Sequence, residues 1–305
     1  MALEKFPVTR IPQSQLVSLV KQFDVRMQHA RKTTRHVYKK ALDRLLDFTK
    51  SNSVRFLPKD FIEFRLWLFN DQKLSRNTVN VYLTASRRFC EFLIDLGILK
   101  RNPAWSVHGS AQEFKTLKVK LTEVAAAISR IDRTTVLGKR DFAFLSAILE
   151  SGAKISELIN ADVGDLKRYG RQAKLNVRGE GSRGEYEQVS ISQPASSALF
   201  SYLESRSPVT AGEPLFTTIR GRRASSVRLS FRGARAAMRR HLDFGGERKV
   251  RLDSLRTYCA IRLMSRGKSS GEVRSIMRFR SNMPFRKIMF EAKSVNGKKI
   301  HREIG

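Results

Sequence analysis

The stretch "GKRDFAFLSAILESGAKISELINADVGDL", residues 138–166, decides how this chain is read. Its first half is a helical run over 138–151, and its second half carries Lys154 three residues before Glu157. The lysine raises a question, because the chain as a whole is so rich in arginine. At 305 residues the chain is long enough for two domains of ordinary size, and 41% hydrophobic residues are enough to fold most of it.

Charge is the strongest global signal. Fifty-nine Lys and Arg against 28 Asp and Glu give a formal net charge of +31. Such self-repulsion opposes compaction unless a polyanion offsets it, and counterion release then drives binding. Nucleic acid is favoured over an acidic membrane surface, although charge alone does not separate DNA from RNA. No apolar run approaches the ~18 residues of a membrane span. The opening "MALEKFPVTRIPQSQ" lacks the features of a secretory signal, so a cytoplasmic protein is expected. Cys90 and Cys259 each sit in an apolar helical pattern and read as buried free thiols. The five histidines show no metal-ligand spacing, and no metal, cofactor or small-molecule substrate is expected.

The first hundred residues read as helices over 12–30, 33–50, 57–69 and 75–97. In the second, Tyr38, Ala41, Leu42, Leu45 and Leu46 recur at helical spacing and make one buried face. Pro58 suits the first turn of the third. Ser75 is the N-cap and Gly97 the stop of the fourth, whose core face runs Val79, Leu83, Phe89 or Cys90, Leu93 and Leu96. "RNPAWSVHGSAQEF" (101–114) breaks the periodicity and reads as linker. Beyond it, helices are predicted over 121–132, 138–151, 193–206, 225–242, 252–266 and 270–279, with a β-hairpin from "AKLNVRG" and "YEQVSIS".

The predicted helix 225–242 carries Arg228, Arg232, Arg235 and Arg239 on one face, spaced by four, three and four. Val227, Phe231, Ala234, Met238 and Leu242 would pack inward. An all-arginine face with no interleaved glutamate favours contact with phosphates or base edges. "RGRR" (220–223, with Arg220, Arg222 and Arg223) and "ERKVR" (247–251) extend the surface, and Arg76 adds a cation in the first domain.

The order of motifs resembles the tyrosine recombinase (phage integrase) family over nearly the whole chain. "TTRHVYKKALDRLLDF" and "SRNTVNVYLTASRRFCEFLIDLGILKRNP" resemble its N-terminal core-binding domain. The opening stretch resembles the first catalytic motif, and "VRGEGSRGEYEQVSIS" the hairpin that carries a catalytic lysine. "LDSLRTYCAIRLMSRG" is similar to the His-x-x-Arg helix, and "VRSIMRFRSNMPFRKIMF" to the closing segment with the nucleophilic tyrosine. The implied fold is mainly α with a small β-hairpin or sheet. A four-helix core-binding (SAM-like) domain at 1–108 and a linker at 109–118 precede a recombinase-like α+β domain with a C-terminal tail at 119–305.

In that family two arginines and a lysine or histidine stabilise the scissile phosphate while a tyrosine attacks it. On this sequence the resemblance puts Lys154 at the first arginine, Glu180 at the hairpin lysine, Asp253 at the histidine and Arg256 at the second arginine. The third basic position falls on Arg280 or Ser281, and the nucleophile on Met289 or Phe290. Glu157 matches an acid that steadies the framework. The six tyrosines are at 38, 82, 169, 186, 202 and 258, so none follows Tyr258, which points away from Arg256 by roughly 200° on a shared helix.

The reading that follows is a catalytically inert DNA-binding protein, whose domains clamp duplex DNA, serving as a phage or mobile-element repressor or an accessory factor associated with the nucleoid. Lys154 then needs only to hold a phosphate. The resemblance also implies self-assembly on DNA through the tail after residue 291. Two alternatives stay open: an active but divergent recombinase, and a single-stranded nucleic-acid binder, which requires exposed aromatics beside the basic face.

Overall fold

The computed structural model describes residues 8–51, 55–109, 117–178, 186–221, 223–246, 248, 250–251, 254–279 and 282–296. The chain is mostly helical with small antiparallel sheets, and it divides into two compact units, Met1–Glu113 and Phe114–Gly305. No described helix is long and apolar enough to cross a membrane.

In the first unit α1 (Gln13–Arg26), α2 (Lys32–Ser51), α3 (Pro58–Asn70) and α4 (Arg76–Asp95) surround one aromatic-rich core. Pro58 opens α3, and the buried Asp60 carboxylate accepts the backbone N–H groups of Arg55 and Leu57 at 2.9 and 2.8 Å. Ser75 accepts the Thr78 N–H at 3.2 Å and caps α4. Gly97 turns the chain out of that helix at a φ of 71°, a left-handed value that favours glycine. Leu42 and Leu45 join Val79, Leu83, Phe89, Cys90 and Leu93 in the core, where Phe23 meets Phe89 edge-on at 5.7 Å. Leu96 departs from the expected core face: it is 46% exposed, because the helix ends at Asp95 and the next residue is no longer carried around to the core.

The Asn-Pro and Gly-Ser breaks predict linker from residue 101, yet residues 102–107 pack on α4. Ala104 and Val107 are buried in the same core, and the Arg87 guanidinium donates to both of their carbonyls at 3.1 and 2.6 Å. Residues 110–116, most of the expected linker at 109–118, lie outside the described residues, and Leu117 and Val119 are buried in the second unit.

The second unit begins with α5 (Leu121–Ser129), α6 (Val136–Ser151) and α7 (Ile155–Asn160). Helix α6 is buried along nearly its whole length and forms the centre of the core. Strands β1 (Leu166–Tyr169), β2 (Gln172–Arg178) and β3 (Tyr186–Ile191) form an antiparallel sheet in that order. The expected hairpin is β2–β3, with Leu175 opposite Val189; β1 is an addition. Helix α8 (Gln193–Glu204) brings Tyr202 into stacking contact with Phe216 at 5.7 Å, and Phe144 of α6 meets Phe216 edge-on at 5.1 Å. A second hairpin, β4 (Thr217–Arg220) and β5 (Arg223–Arg228), precedes α9 (Phe231–Leu242). Helices α10 (Ser254–Ser265), α11 (Ser270–Ile276) and α12 (Asn282–Asn296) complete the unit.

The predicted helix 225–242 is therefore too long. Residues 223–228 pair with 217–220 as a strand, and Ser230 caps α9 by accepting the Gly233 N–H at 3.2 Å. Arg228 leaves the expected stripe: its guanidinium donates to the carbonyls of Ile159 and Ala161 at 2.9 and 2.8 Å and pairs with Asp162. Val227 and Phe231, expected in the core, are 51% and 54% exposed, whereas Ala234, Met238 and Leu242 are buried as predicted.

Helix α9 is tied to the core by one carboxylate. The fully buried Asp141 receives the Arg140 guanidinium at 2.6 and 2.9 Å, Arg240 at 2.8 Å and His241 Nε2 at 3.1 Å. Asp141→Ala leaves the buried Arg140 guanidinium without its counterion, and denaturant unfolding should show a loss of about 3–5 kcal/mol. A loss under about 1 kcal/mol, the worth of a surface pair, would contradict this role.

Candidate functional site

The turn between α6 and α7 is where the opening stretch becomes chemistry. Gly152 ends α6 at a φ of 64°, and a Cβ there would stand 2.4 Å from Met277 Sδ and 3.3 Å from Cys259 Sγ. The backbone conformation favours glycine, and any Cβ would have to displace the end of the Met277 side chain. Two residues on, Lys154 is the N-cap of α7, and its backbone N–H donates to Glu157 Oε2 at 2.7 Å.

Glu157 is buried and faces cations. The Arg278 guanidinium pairs with its Oε2, and Lys154 Nζ stands 3.8 Å from its Oε1. Arg278 also reaches Glu187 of β3 at 3.4 Å, so it joins α7, the sheet and the turn after α11. It takes a left-handed φ of 54°, which a non-glycine residue adopts at a cost that these ion pairs offset.

Arg256 of α10 closes the other side. Its Nε donates to the Gly152 carbonyl at 2.8 Å and one terminal nitrogen to the Met277 carbonyl at 2.6 Å, while its Cζ lies 5.2 Å from the Phe279 ring centroid. Lys154 and Arg256, chosen from sequence, line one pocket of about 270 Å³. Lys287 of α12 joins them, with Ser156 and Thr257 as hydroxyls and Phe231, Phe279, Ile155 and Ile288 as apolar walls. Three cations around a small concavity suit a single anion such as a phosphate.

Sequence reasoning missed Arg278, Phe279 and Lys287. An i,i+4 pattern could have flagged Lys287, whose Nζ stands 4.0 Å from Glu291 Oε1. The buried Glu291 also receives Arg251 at 2.8 Å and Thr257 Oγ1 at 2.6 Å, so it fastens α12 to α10 within one chain. Thr257 is thereby committed to structure.

The remaining candidates are dispersed. Arg232, Arg235 and Arg239 are exposed on α9, and no described carboxylate pairs with them. Arg220 and Arg223 flank the β4–β5 turn, and Arg76 opens α4 in the first unit. Met289 is buried and Phe290 is 45% exposed on α12. Glu180, Arg222, Asp253, Arg280 and Ser281 lie outside the described residues, as do positions 297–305 of the tail. Among the described residues no group of three His, Cys, Asp or Glu is placed to hold a metal.

The described lining of the pocket contains no tyrosine. Tyr258, two residues after Arg256, is buried, and its hydroxyl donates to the Val119 carbonyl at 2.6 Å. Burial pushes its phenol up from 10.0 to about 12, with the Glu291 carboxylate adding to the rise. The folded state therefore holds this proton more tightly than the unfolded chain, and the associated stability is full below pH 10.0 and lost as pH rises through about 12. Melting temperature followed over that window should fall less steeply in Tyr258→Phe than in the parent; identical alkaline slopes would contradict the assignment.

Residues 20–96 match the phage integrase N-terminal SAM-like domain. Tyrosine recombinase XerC of Myxococcus xanthus is 34% identical over 166 residues, which cover 53% of this chain and 52% of that protein. The XerC of Pelotomaculum thermopropionicum is 28% identical over 268 residues, or 82% of this chain and 85% of the relative. With the first of these relatives the match spans about half the length of the curated protein. The XerH site-specific recombinase bound to palindromic difH substrate superposes with a TM-score of 0.67 at 16% identity, covering 95% of this chain and 82% of that one. That likeness shows a shared fold. The SAM-like match over residues 20–96, the similarity to XerC and the shared fold together support the tyrosine recombinase (phage integrase) family for this chain.

Proposed function

We propose that this chain binds double-stranded DNA without cleaving it, as a repressor or accessory factor of a phage or mobile element. The observation that carries the reading is the composition of the site. Lys154, Arg256 and Lys287 surround an anion-sized pocket, and no tyrosine is among its described lining. On α12 the resemblance gives the nucleophile's place to Met289 or Phe290, neither of which has a hydroxyl to attack phosphorus. The only tyrosine near Arg256 in sequence has its hydroxyl committed to Val119. The three exposed arginines of α9 supply a further phosphate-contacting face.

Binding without a covalent step also accounts for Lys154. An arginine fork matters when two equatorial oxygens must be held as charge develops, whereas an ammonium suffices to hold a ground-state phosphate. The Tn1549 transposon integrase, a neighbour of the same fold with a TM-score of 0.65, is in complex with circular intermediate DNA, which supports a DNA partner here. A second reading, an active but divergent site-specific recombinase, is favoured by the 34% identity to XerC. It requires a tyrosine hydroxyl delivered from outside the described pocket, as from a partner copy, or a serine such as Ser281 or the pocket's Ser156 in that role.

The experiment is a salt titration of duplex binding by the parent chain and by the triple variant Arg232→Ala, Arg235→Ala, Arg239→Ala. The parent should bind duplex with affinity falling steeply as salt rises. The variant should bind more weakly, with its log–log salt slope reduced by about 3, one for each phosphate no longer neutralised. An unchanged slope removes α9 from the interface, and failure of the parent to bind any duplex at low salt ends the DNA reading.

A further inference from the structure

The first unit presents an aromatic side chain that packing does not explain. Trp105 is 62% exposed, the highest exposure among the large hydrophobic side chains of the described residues. The chain's other indole, Trp67, is partly buried against Phe48 and Phe64 at centroid distances of 5.6 and 6.1 Å.

The loop that carries Trp105 is anchored on both sides of it. Asn102, Pro103 and Ala104 before it and Val107 after it are buried. Asn102 Nδ2 donates to the Arg87 carbonyl at 2.9 Å, and its Oδ1 accepts the Ala104 N–H at 3.1 Å. The Arg87 guanidinium holds the carbonyls of Ala104 and Val107 from α4, and Arg65 of α3 reaches the His108 carbonyl at 2.8 Å. The ring is therefore held outward by a backbone with little freedom, so a bound partner need not supply the entropy of ordering that loop.

The electrostatic setting selects the partner. Lys100 and Arg101 are exposed just before the loop. An indole beside cations is the combination that stacks on a nucleobase while the phosphates on either side are neutralised. An acidic protein surface would use the cations but gain less from a rigid π-face.

We propose that Trp105 is a stacking site for an unpaired base in DNA held by this chain. The inference rests on the DNA-binding reading and adds to it a preference for DNA with an extrahelical or single-stranded base over fully paired duplex.

The test compares a blunt duplex with the same duplex carrying a single-stranded extension, using the full chain, Trp105→Ala and Trp105→Phe. Thermal melting checks that both variants are folded. Trp105→Ala should bind the extended DNA about tenfold more weakly and the blunt duplex as the parent does, and Trp105→Phe, which keeps a ring, should recover most of the loss. The parent's indole emission should be quenched by the extended DNA, whereas that of Trp105→Phe, with Trp67 as its only indole, should not be. Equal binding by parent and Trp105→Ala on both DNAs, or equal losses on both, overturns the stacking site and leaves duplex binding in place. Absence of binding to either DNA by the parent at low salt removes the DNA reading and the stacking site together.

Discussion

A single buried carboxylate organises the candidate site. Glu157 accepts the Lys154 backbone N–H, pairs with Arg278 from the turn after α11 and lies within 3.8 Å of the Lys154 ammonium. In a chain with a net charge of +31, cations brought this close repel one another unless a fixed anion sits among them. Removing one partner of such a buried set costs on the order of 3–5 kcal/mol, because the remaining charges lose their compensation. Glu157 therefore sets the start of α7, the left-handed turn at Arg278 and the position of Lys154 at the pocket mouth.

The same device recurs twice in the second unit. Asp141 holds Arg140, Arg240 and His241 and so docks α9 on α6. Glu291 holds Arg251 and Thr257 and so docks α12 on α10. In each case a carboxylate with little or no solvent exposure neutralises a cation that helps to build the framework. Arg232, Arg235 and Arg239 stay on the solvent side. The division explains how a strongly basic chain remains compact while keeping positive charge available to a polyanion.

Much of this is legible in the sequence. The first unit is readable because Ser75, Pro58 and Gly97 are local signals, and because apolar residues on α2 and α4 follow the helical period. Family resemblance puts Lys154 and Arg256 in one site, and the structure brings them to one pocket. Arg228 is misplaced by its sequence because its spacing to Arg232, Arg235 and Arg239 happens to fit a helix, while "RASSVR" has too few apolar residues to announce a strand. The Ser230 cap is the available signal of the break. Arg278 has no local signal at all, since its partner Glu157 is 121 residues away and its backbone conformation is one that arginine rarely adopts. Leu96 shows the limit of periodicity at a helix end, where one residue of overrun turns a core position into an exposed one.

Whether phosphate is held or cleaved depends on the availability of a nucleophilic phenol near Lys154, Arg256 and Lys287. Incubating the protein with a nicked or suicide DNA substrate and resolving the products on a denaturing gel reads this directly. The account predicts DNA and protein that separate completely, with the strand intact. A covalent protein–DNA adduct that survives denaturation would contradict it and identify the chain as a working recombinase.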